Sequence, residues 1–180
     1  YLKPEVEKEV GERVSEAAVL MAIRRYQKKG AAKSAKRAQD YLGDLSLRSN
    51  LHDITYTNSP TLSKKLTQIA QSFSNQHYLT ISRGLLQTSI ILHSEELPRV
   101  LELLQTEHLE MRVDSVSAIT LQIKRGYGQL PGILAFPLSL LAWRGIPVVE
   151  IVSTYDELNI ILHKTDVEKA VAALNNSLST

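Results

Sequence analysis

An internal repeat of about seventy residues is the feature that most constrains this chain. The string Ile-Ile-Leu-His occurs at 90–93 and again at 160–163, and the apolar positions of the segment that follows keep the same spacing in both copies. A repeat of this length is a small domain rather than one unit of a solenoid. The sequence therefore predicts one module used twice, and paired copies usually form a joint surface or a joint site.

The composition is that of an ordinary folded protein. Of the 180 residues, 43% are hydrophobic and 22% are charged, and there is no cysteine. The lack of cysteine excludes disulfides, thiol catalysis and thiolate metal sites. No apolar run approaches the roughly 18 residues of a membrane span. We therefore expect a cytoplasmic protein that does not associate with membranes.

The first copy, residues 47–116, reads as strand, helix, strand, strand, helix, strand. Its strand candidates have the two-residue alternation of half-buried strands, and its helix candidates carry an apolar stripe. Asn58-Ser59-Pro60 is a turn that starts the first helix. The predicted strands are 51–56, 78–82, 86–93 and 111–116, and the second helix is 97–107.

The second copy, residues 117–180, follows the same order but stops early. Strands are predicted at 118–124, 147–153 and 158–163, with a helix ending at Gly145 and a last helix capped by Thr165 or Asp166. The order βαββαβ is that of the ferredoxin-like fold, so we expect an α+β protein with two such modules in tandem. After Leu174 the tail is short and polar. The fourth strand of this copy must be lost, very short or donated from elsewhere.

Residues 1–46 form a basic helical segment and linker before the modules. Residues 1–40 carry ten Lys/Arg against six Asp/Glu, whereas the whole chain has a net charge of only +2. A short helix is predicted at 4–10, and Ser15 can cap a second helix at 15–29 that Gly30 ends. Residues 30–46 are expected to be a mobile basic linker or a frayed helix.

The second copy resembles an ACT domain, the small-molecule-sensing module of amino-acid metabolism. The residues that carry the resemblance are Pro131-Gly132-Ile133-Leu134 at the start of a helix, Gly145-Ile146-Pro147 at its end, and residues 149–154 followed by Glu157-Leu158-Asn159-Ile160. These last strands are similar to those of an aspartokinase regulatory domain. The resemblance covers residues 47–177, although the first copy has Asn58-Ser59-Pro60-Thr61-Leu62 where the family usually has a Pro-Gly pair.

This resemblance implies an amino-acid effector bound near the loop between the first strand and the first helix of a module. Elementary physics points to the same place, because glycine at a helix start admits a ligand and the free N–H groups attract a carboxylate. The candidate ligand-binding residues are Gln129, Leu130, Pro131, Gly132, Ile133 and Leu134, then Asn58, Ser59, Pro60 and Thr61, and also Glu150. In the first copy Pro60 or Thr61 crowds the approach that Gly132 permits in the second.

Other chemistry finds little support in the sequence. No two histidines have the helical spacing of a zinc motif, and there is no phosphate loop, dinucleotide fingerprint or serine-nucleophile motif. Asp156 and Glu157 are typical of a hairpin turn rather than of acid–base catalysis. We therefore expect no catalytic residue, no metal and no cofactor. Trp143 is expected to pack in the core, with an interface role as the alternative.

The N-terminal segment leaves a second interpretation open. Its helices are weakly similar to a helix-turn-helix, in which Arg24, Arg25, Lys28 and Lys29 would contact phosphates. The main prediction is a non-catalytic regulatory protein that senses an amino acid or similar metabolite as a homodimer. The alternatives are a purely structural pairing module, an amino-acid-responsive DNA-binding regulator, or a regulatory fragment of an enzyme.

Overall fold

The computed structural model describes residues 3–73, 77–125, 130 and 132–178, apart from the side chains of residues 23, 26–37, 177 and 178. Within these ranges, no helix is both long enough and apolar enough to cross a membrane. The elements in chain order are α1 (Lys3–Val10), α2 (Glu16–Tyr41), β1 (Leu42–Thr57), α3 (Pro60–Ser72), β2 (Leu79–Arg83), β3 (Gln87–His93), α4 (Leu97–Leu103), β4 (Leu109–Ile123), α5 (Ala135–Trp143), β5 (Glu150–Ser153), β6 (Glu157–His163), a 3₁₀ turn (Lys164–Asp166) and α6 (Val167–Leu178).

Six strands form one antiparallel sheet in the order β2-β3-β1-β4-β6-β5. The long strands β1 and β4 lie at its centre and pair with each other. β2 and β3 form a hairpin beside β1, and β5 and β6 form the equivalent hairpin beside β4. The repeated string Ile-Ile-Leu-His lies in β3 and in β6. The predicted α+β plan of two ferredoxin-like modules is confirmed.

β1 serves both modules. Residues 51–56 pair with 109–116 of β4, whereas residues 42–48 pair with 118–123. The first part of β1 is therefore the fourth strand of the second module, which the polar tail after Leu174 does not supply. Leu42 of this segment is buried in the core of the second module, and Leu45 packs against that core. A strand that precedes the first module in sequence thus completes the second.

The sheet bends where the modules meet. Asn50 in β1 and Ser115 in β4 have φ angles of +58° and +56°, and the pairing register of β1 with β4 shifts nearby. Such irregularities bend a strand and increase its twist. The two halves of the sheet face each other, because Ser89 of β3 contacts Glu150 of β5 although three strands separate β3 from β5.

Three apolar clusters stabilise this arrangement. α3 and α4 cover the outer face of the first half, while α5, α6 and the end of α2 cover the outer face of the second. The third cluster lies between the halves and contains Leu51, Ile91, Val116, Ala118 and Ile161. Burying one leucine or isoleucine contributes about 1.5–3 kcal/mol. The inner cluster therefore ties the two modules to each other.

The N-terminal segment differs from the prediction. α2 does not end at Gly30 but continues to Tyr41, and β1 begins immediately afterwards. An interior glycine costs about 1 kcal/mol relative to alanine, and the helix-forming Ala, Lys and Arg residues on both sides offset that cost. The end of α2 is anchored, because Ala38 is fully buried and Tyr41 packs against the second core.

α4 ends at Leu103 rather than at 107, and the chain then turns back toward α3. Trp143 is 80% exposed, so the prediction that it packs in the core is wrong: α5 buries Leu141 and ends with the indole facing solvent. The predicted module boundary at residues 116 and 117 falls inside the continuous strand β4.

Candidate functional site

The predicted site residues of the first module lie at the corner where β1 leads into α3, and internal contacts occupy them. The side-chain amide of Asn58 donates to the carbonyls of Gly84 and Leu85 over 2.9 and 3.1 Å, and its oxygen accepts from Thr88 Oγ1 over 2.6 Å. These bonds fix the turn between β2 and β3. Pro60 lies in the first turn of α3, where its missing N–H costs no helix bond.

A carboxylate from the same chain lies at the start of α3. Ser59 caps the helix by accepting from the Leu62 N–H over 2.8 Å. The Ser59 hydroxyl donates to Glu107 Oε2 over 2.7 Å, Thr61 Oγ1 donates to the same oxygen over 3.1 Å, and Lys65 Nζ lies 2.8 Å from Glu107 Oε1. The ammonium of Lys65, followed by the hydrogen bond with Ser59, lowers the pKa of Glu107. The corner of the first module is thus already filled by an anion.

The equivalent corner of the second module, between β4 and α5, is built differently. Leu130, Gly132, Ile133 and Leu134 are described, whereas Gln129 and Pro131 lie outside the described residues. Gly132 has φ of +90°, a conformation that disfavours every residue with a Cβ. Ile133 is buried in the core, and Leu134 starts α5 without a side-chain hydrogen bond to cap it. In the first turn of α5 the Phe136 N–H donates to the Gly132 carbonyl over 2.9 Å and Pro137 has no N–H, so attraction for an anion here comes from the helix dipole.

A small cleft of about 270 Å³ lies where β4 ends and the chain enters the loop toward α5. Its lining consists of Gln122, Ile123, Lys124, Arg125, Asp156 and Glu157. The Oδ1 atom of Asp156 is buried, and among the described residues it has no hydrogen-bond partner. The Oδ2 atom of Asp156 lies 3.5 Å from the Arg125 guanidinium. The cleft therefore combines an unsatisfied acceptor with two cationic side chains.

From the sequence, Asp156 was not assigned to the ligand site, because aspartate is common in hairpin turns and its presence there needed no functional reason. The structure confirms the turn, in which the Asp156 carbonyl accepts from the Ile123 N–H over 2.8 Å. That bond brings the turn against the end of β4. Topology could have identified Asp156: β4 and β6 are antiparallel neighbours, so the turn between β5 and β6 lies beside the loop that leaves β4.

Glu150, the remaining predicted ligand residue, lies elsewhere. It pairs with Ile161 of β6, which in turn pairs with Ala118, five residues before the end of β4. Its carboxylate faces the first module, where Ser89 Oγ lies 2.5 Å from Glu150 Oε2 and 2.8 Å from Asp53 Oδ1. The predicted set is therefore split among three places: the two corners and the seam between the modules.

The seam holds a cleft of about 600 Å³ lined by Asp53, Ser89 and Glu150 together with the exposed side chains Leu85 and Leu86. The Ser89 hydroxyl has one proton and can donate to only one of the two carboxyls. The close contact with the second carboxyl requires that this carboxyl be protonated and donate to the Ser89 oxygen. Desolvation by burial raises the pKa of both Asp53 and Glu150, and hydrogen bonding to Ser89 offsets part of each increase. Asp53 and Ser89 were missed as partners of Glu150, because they lie in the other module.

The basic residues of the N-terminal segment lie on α2. Arg24 and Arg25 are exposed, and the side chains of Lys28 and Lys29 lie outside the described residues. α1 buries no residue, and Leu20 and Met21 of α2 are more than half exposed. A nucleic-acid role for this segment stays a prediction.

Comparison with known proteins identifies the fold. No protein-family model matches the sequence, and no curated protein matches it. Solved structures do: the ligand-free regulatory subunit of aspartate kinase from Thermus thermophilus has a TM-score of 0.62 at 15% identity, covering 76% of this chain and 98% of that one. A putative C-terminal regulatory domain of aspartate kinase from Porphyromonas gingivalis has a TM-score of 0.60 at 18% identity, covering 76% of this chain and 97% of that one.

Whole enzymes contain the same fold as a part. E. coli aspartokinase III in complex with lysine and aspartate has a TM-score of 0.56 at 15% identity, covering 77% of this chain and 33% of that one. The two modules of this chain therefore have the tandem ACT fold of aspartate kinase regulatory domains, and the resemblance seen in the sequence is confirmed at the level of fold.

Proposed function

We propose that this chain is a non-catalytic regulatory protein that binds an amino acid, or a similar small metabolite, at the β4–α5 corner of its second module. The observation that carries the proposal is the contrast between the corners. The start of α3 is capped by Ser59 and faces the Glu107 carboxylate. The start of α5 has no side-chain cap, and Asp156, in the cleft at the end of β4, keeps a buried oxygen with no hydrogen-bond partner among the described residues.

The chemistry of this corner suits a zwitterion. The ligand carboxylate would bind the first turn of α5 behind Gly132, where the helix dipole is positive. Arg125 and Lys124 line the cleft and add positive charge to it. The ligand ammonium would donate to Asp156 Oδ1. A buried acceptor without a partner costs about 1–3 kcal/mol, so a ligand that satisfies it gains affinity.

We further propose that the chain acts on a partner enzyme and works as a homodimer. The structures of similar fold are regulatory subunits and domains of aspartate kinase, which supports a regulatory role. The exposed Trp143 and the two outer strands, β2 and β5, offer surfaces for a second copy. A monomeric mass in light scattering at micromolar concentration contradicts the homodimer.

The test is a thermal-shift screen of the full chain with the twenty amino acids. The ligand found is then tested for binding to variants of the chain. A ligand at a hundred times its Kd stabilises the folded state by about 2.7 kcal/mol. Asp156→Asn removes the charge that holds the ammonium, and charged hydrogen bonds contribute about 1.5–3 kcal/mol, so affinity should fall roughly tenfold to a hundredfold. Glu168→Gln changes an exposed carboxylate on α6, which does not line the cleft, and should leave affinity within about threefold.

Gly132→Ala is the second variant, with Gly145→Ala as its control. Both glycines flank α5 with positive φ, +90° and +66°, so a Cβ at either position introduces similar backbone strain. The Gly132 variant should lose binding, whereas the Gly145 variant should lose stability and retain binding. No shift with any amino acid, or equal binding by both alanine variants, overturns the proposed site and favours a purely structural pairing module.

A further inference from the structure

The first module contains a carboxylate-binding pocket whose occupant is a side chain of the same protein. Three groups surround the carboxyl of Glu107: the hydroxyls of Ser59 and Thr61 at Oε2, and the ammonium of Lys65 at Oε1. The Glu107 side chain is only 4% exposed, whereas the other glutamate near the end of α4, Glu102, faces solvent. Glutamate side chains are almost never buried this deeply unless they are paired. Glu107 is surrounded by donors.

The pocket is anchored from several sides. Lys65 also donates to Thr106 Oγ1 over 2.6 Å, and the Ser59 hydroxyl links the carboxylate to the Leu62 N–H in the first turn of α3. Ser63, in the same turn, accepts from Arg83 over 2.8 Å, which adds a second cation nearby. The positive end of α3, Lys65 and Arg83 together make this corner anion-selective.

The position of Glu107 depends on the early end of α4. The helix stops at Leu103, and the Glu107 N–H donates to the Leu104 carbonyl over 2.8 Å in the turn that follows. This turn directs the side chain of Glu107 to α3 rather than to solvent. If α4 continued to residue 107, the helix geometry would fix the direction of the Glu107 side chain, and the turn that directs it to α3 would be absent.

We infer that Glu107 is a tethered carboxylate that fills the anion pocket at the start of α3, so that the first module is closed to free carboxylate ligands and only the second module is open. The inference rests on the proposed function in assigning ligand binding to the second corner. The pocket itself rests on the contacts of Glu107 alone.

The experiment removes the tethered group and supplies a free one. In the full chain, Glu107→Ala vacates the pocket and removes the carboxylate acceptor that Ser59, Thr61 and Lys65 share. Sodium acetate and sodium formate should then raise the thermal midpoint of this variant saturably, by about 3 °C. Sodium chloride at the same ionic strength should not. Any saturable rise in the wild type should be smaller, because its first pocket is occupied and only the corner of the second module remains open to acetate.

Two controls separate the pocket from general salt effects. Glu102→Ala removes an exposed carboxylate from α4 and should respond to acetate no more than the wild type does. Glu107→Gln keeps the pocket filled with an uncharged side chain and should likewise respond no more than the wild type. A Glu107→Ala variant that folds and ignores acetate overturns the inference, as does an equal response of Glu102→Ala. These outcomes need no amino-acid effector, so they are distinguishable from failure of the proposed function.

A measurement on the wild type covers the case in which Glu107→Ala does not fold. The carboxyl carbon of Glu107, followed by NMR as the pH is lowered, should titrate below the ordinary glutamate value of 4.5. A titration at or above 4.5 overturns the inference, because it would mean that the carboxylate is not held by cationic and hydroxyl donors.

Discussion

Asp53 of β1 and Glu150 of β5 belong to different modules and share the hydroxyl of Ser89, which lies 2.8 Å from one carboxyl and 2.5 Å from the other. Asp53 is 2% exposed and Glu150 is half-buried. Two carboxyls in this arrangement favour the retention of a proton. The seam between the modules therefore has a stability that depends on pH.

The first prediction concerns the sign of that dependence. Burial raises the folded-state pKa of both Asp53 and Glu150 above the ordinary values of 3.8 and 4.5. The contribution of the pair to stability is thus complete below these values and is lost as pH rises through the folded-state pKa values. Asp53→Asn cannot ionise, so its free energy of unfolding relative to wild type should increase with pH.

Urea unfolding between about pH 4 and pH 8 checks this prediction. Glu168→Gln, which changes an exposed carboxylate on α6, is the control and should stay parallel to wild type. A difference between Asp53→Asn and wild type that is constant, or that shrinks as pH rises, contradicts the shared proton.

The second prediction concerns the donated strand. Leu42 is 4% exposed in the second core, so Leu42→Ala should cost about 2–5 kcal/mol. Leu47 lies on the same strand but is 45% exposed, and its replacement by alanine should cost less than about 1 kcal/mol. In hydrogen exchange, Leu42→Ala should weaken protection in β4 and β6 more than in β2 and β3. Equal costs for the two variants would show that residues 42–48 do not complete the second module.

The sequence was sufficient to predict most of the fold. The periodicity and turn residues predicted seven strands. Two of these, 111–116 and 118–124, are parts of the single strand β4, and β1 begins nine residues before the predicted start at 51. The repeated Ile-Ile-Leu-His marks the equivalent strands β3 and β6. The donated strand was not predicted, because residues 30–46 were expected to be a mobile basic linker or a frayed helix. The partner of residues 42–48 in β4 is some seventy-five residues away, and pairing between segments so distant leaves no local pattern.

The candidate site was predicted only in part, for the same reason. The loop at Gly132 was found from its local residue types, and its positive φ agrees with the need for glycine. Glu107, Asp53 and Asp156 were not assigned, because each acquires its role from a residue distant in sequence. Ser59 and Thr61 were assigned to ligand binding, and the structure shows them bound to Glu107.

The third prediction concerns the bend of β4. Ser115 has φ of +56° and is exposed, so that its backbone conformation rather than its packing sets the effect of a substitution. Ser115→Val should cost about 1–2 kcal/mol, because a Cβ with two branches is strained in the left-handed region. Ser115→Gly should be close to neutral. Chemical denaturation of both variants measures the contrast, and a valine variant as stable as the glycine variant would argue against the bend.

The most direct test of the account is the number of amino-acid molecules that one chain binds at saturation, measured by isothermal titration calorimetry with the ligand found in the screen. We predict one molecule per chain, bound at the corner of Gly132 and Asp156, because Glu107 fills the equivalent pocket of the first module. The heat of binding should disappear in Gly132→Ala and persist in Gly145→Ala. Two equivalent sites per chain, or binding unchanged in Gly132→Ala, would contradict the account.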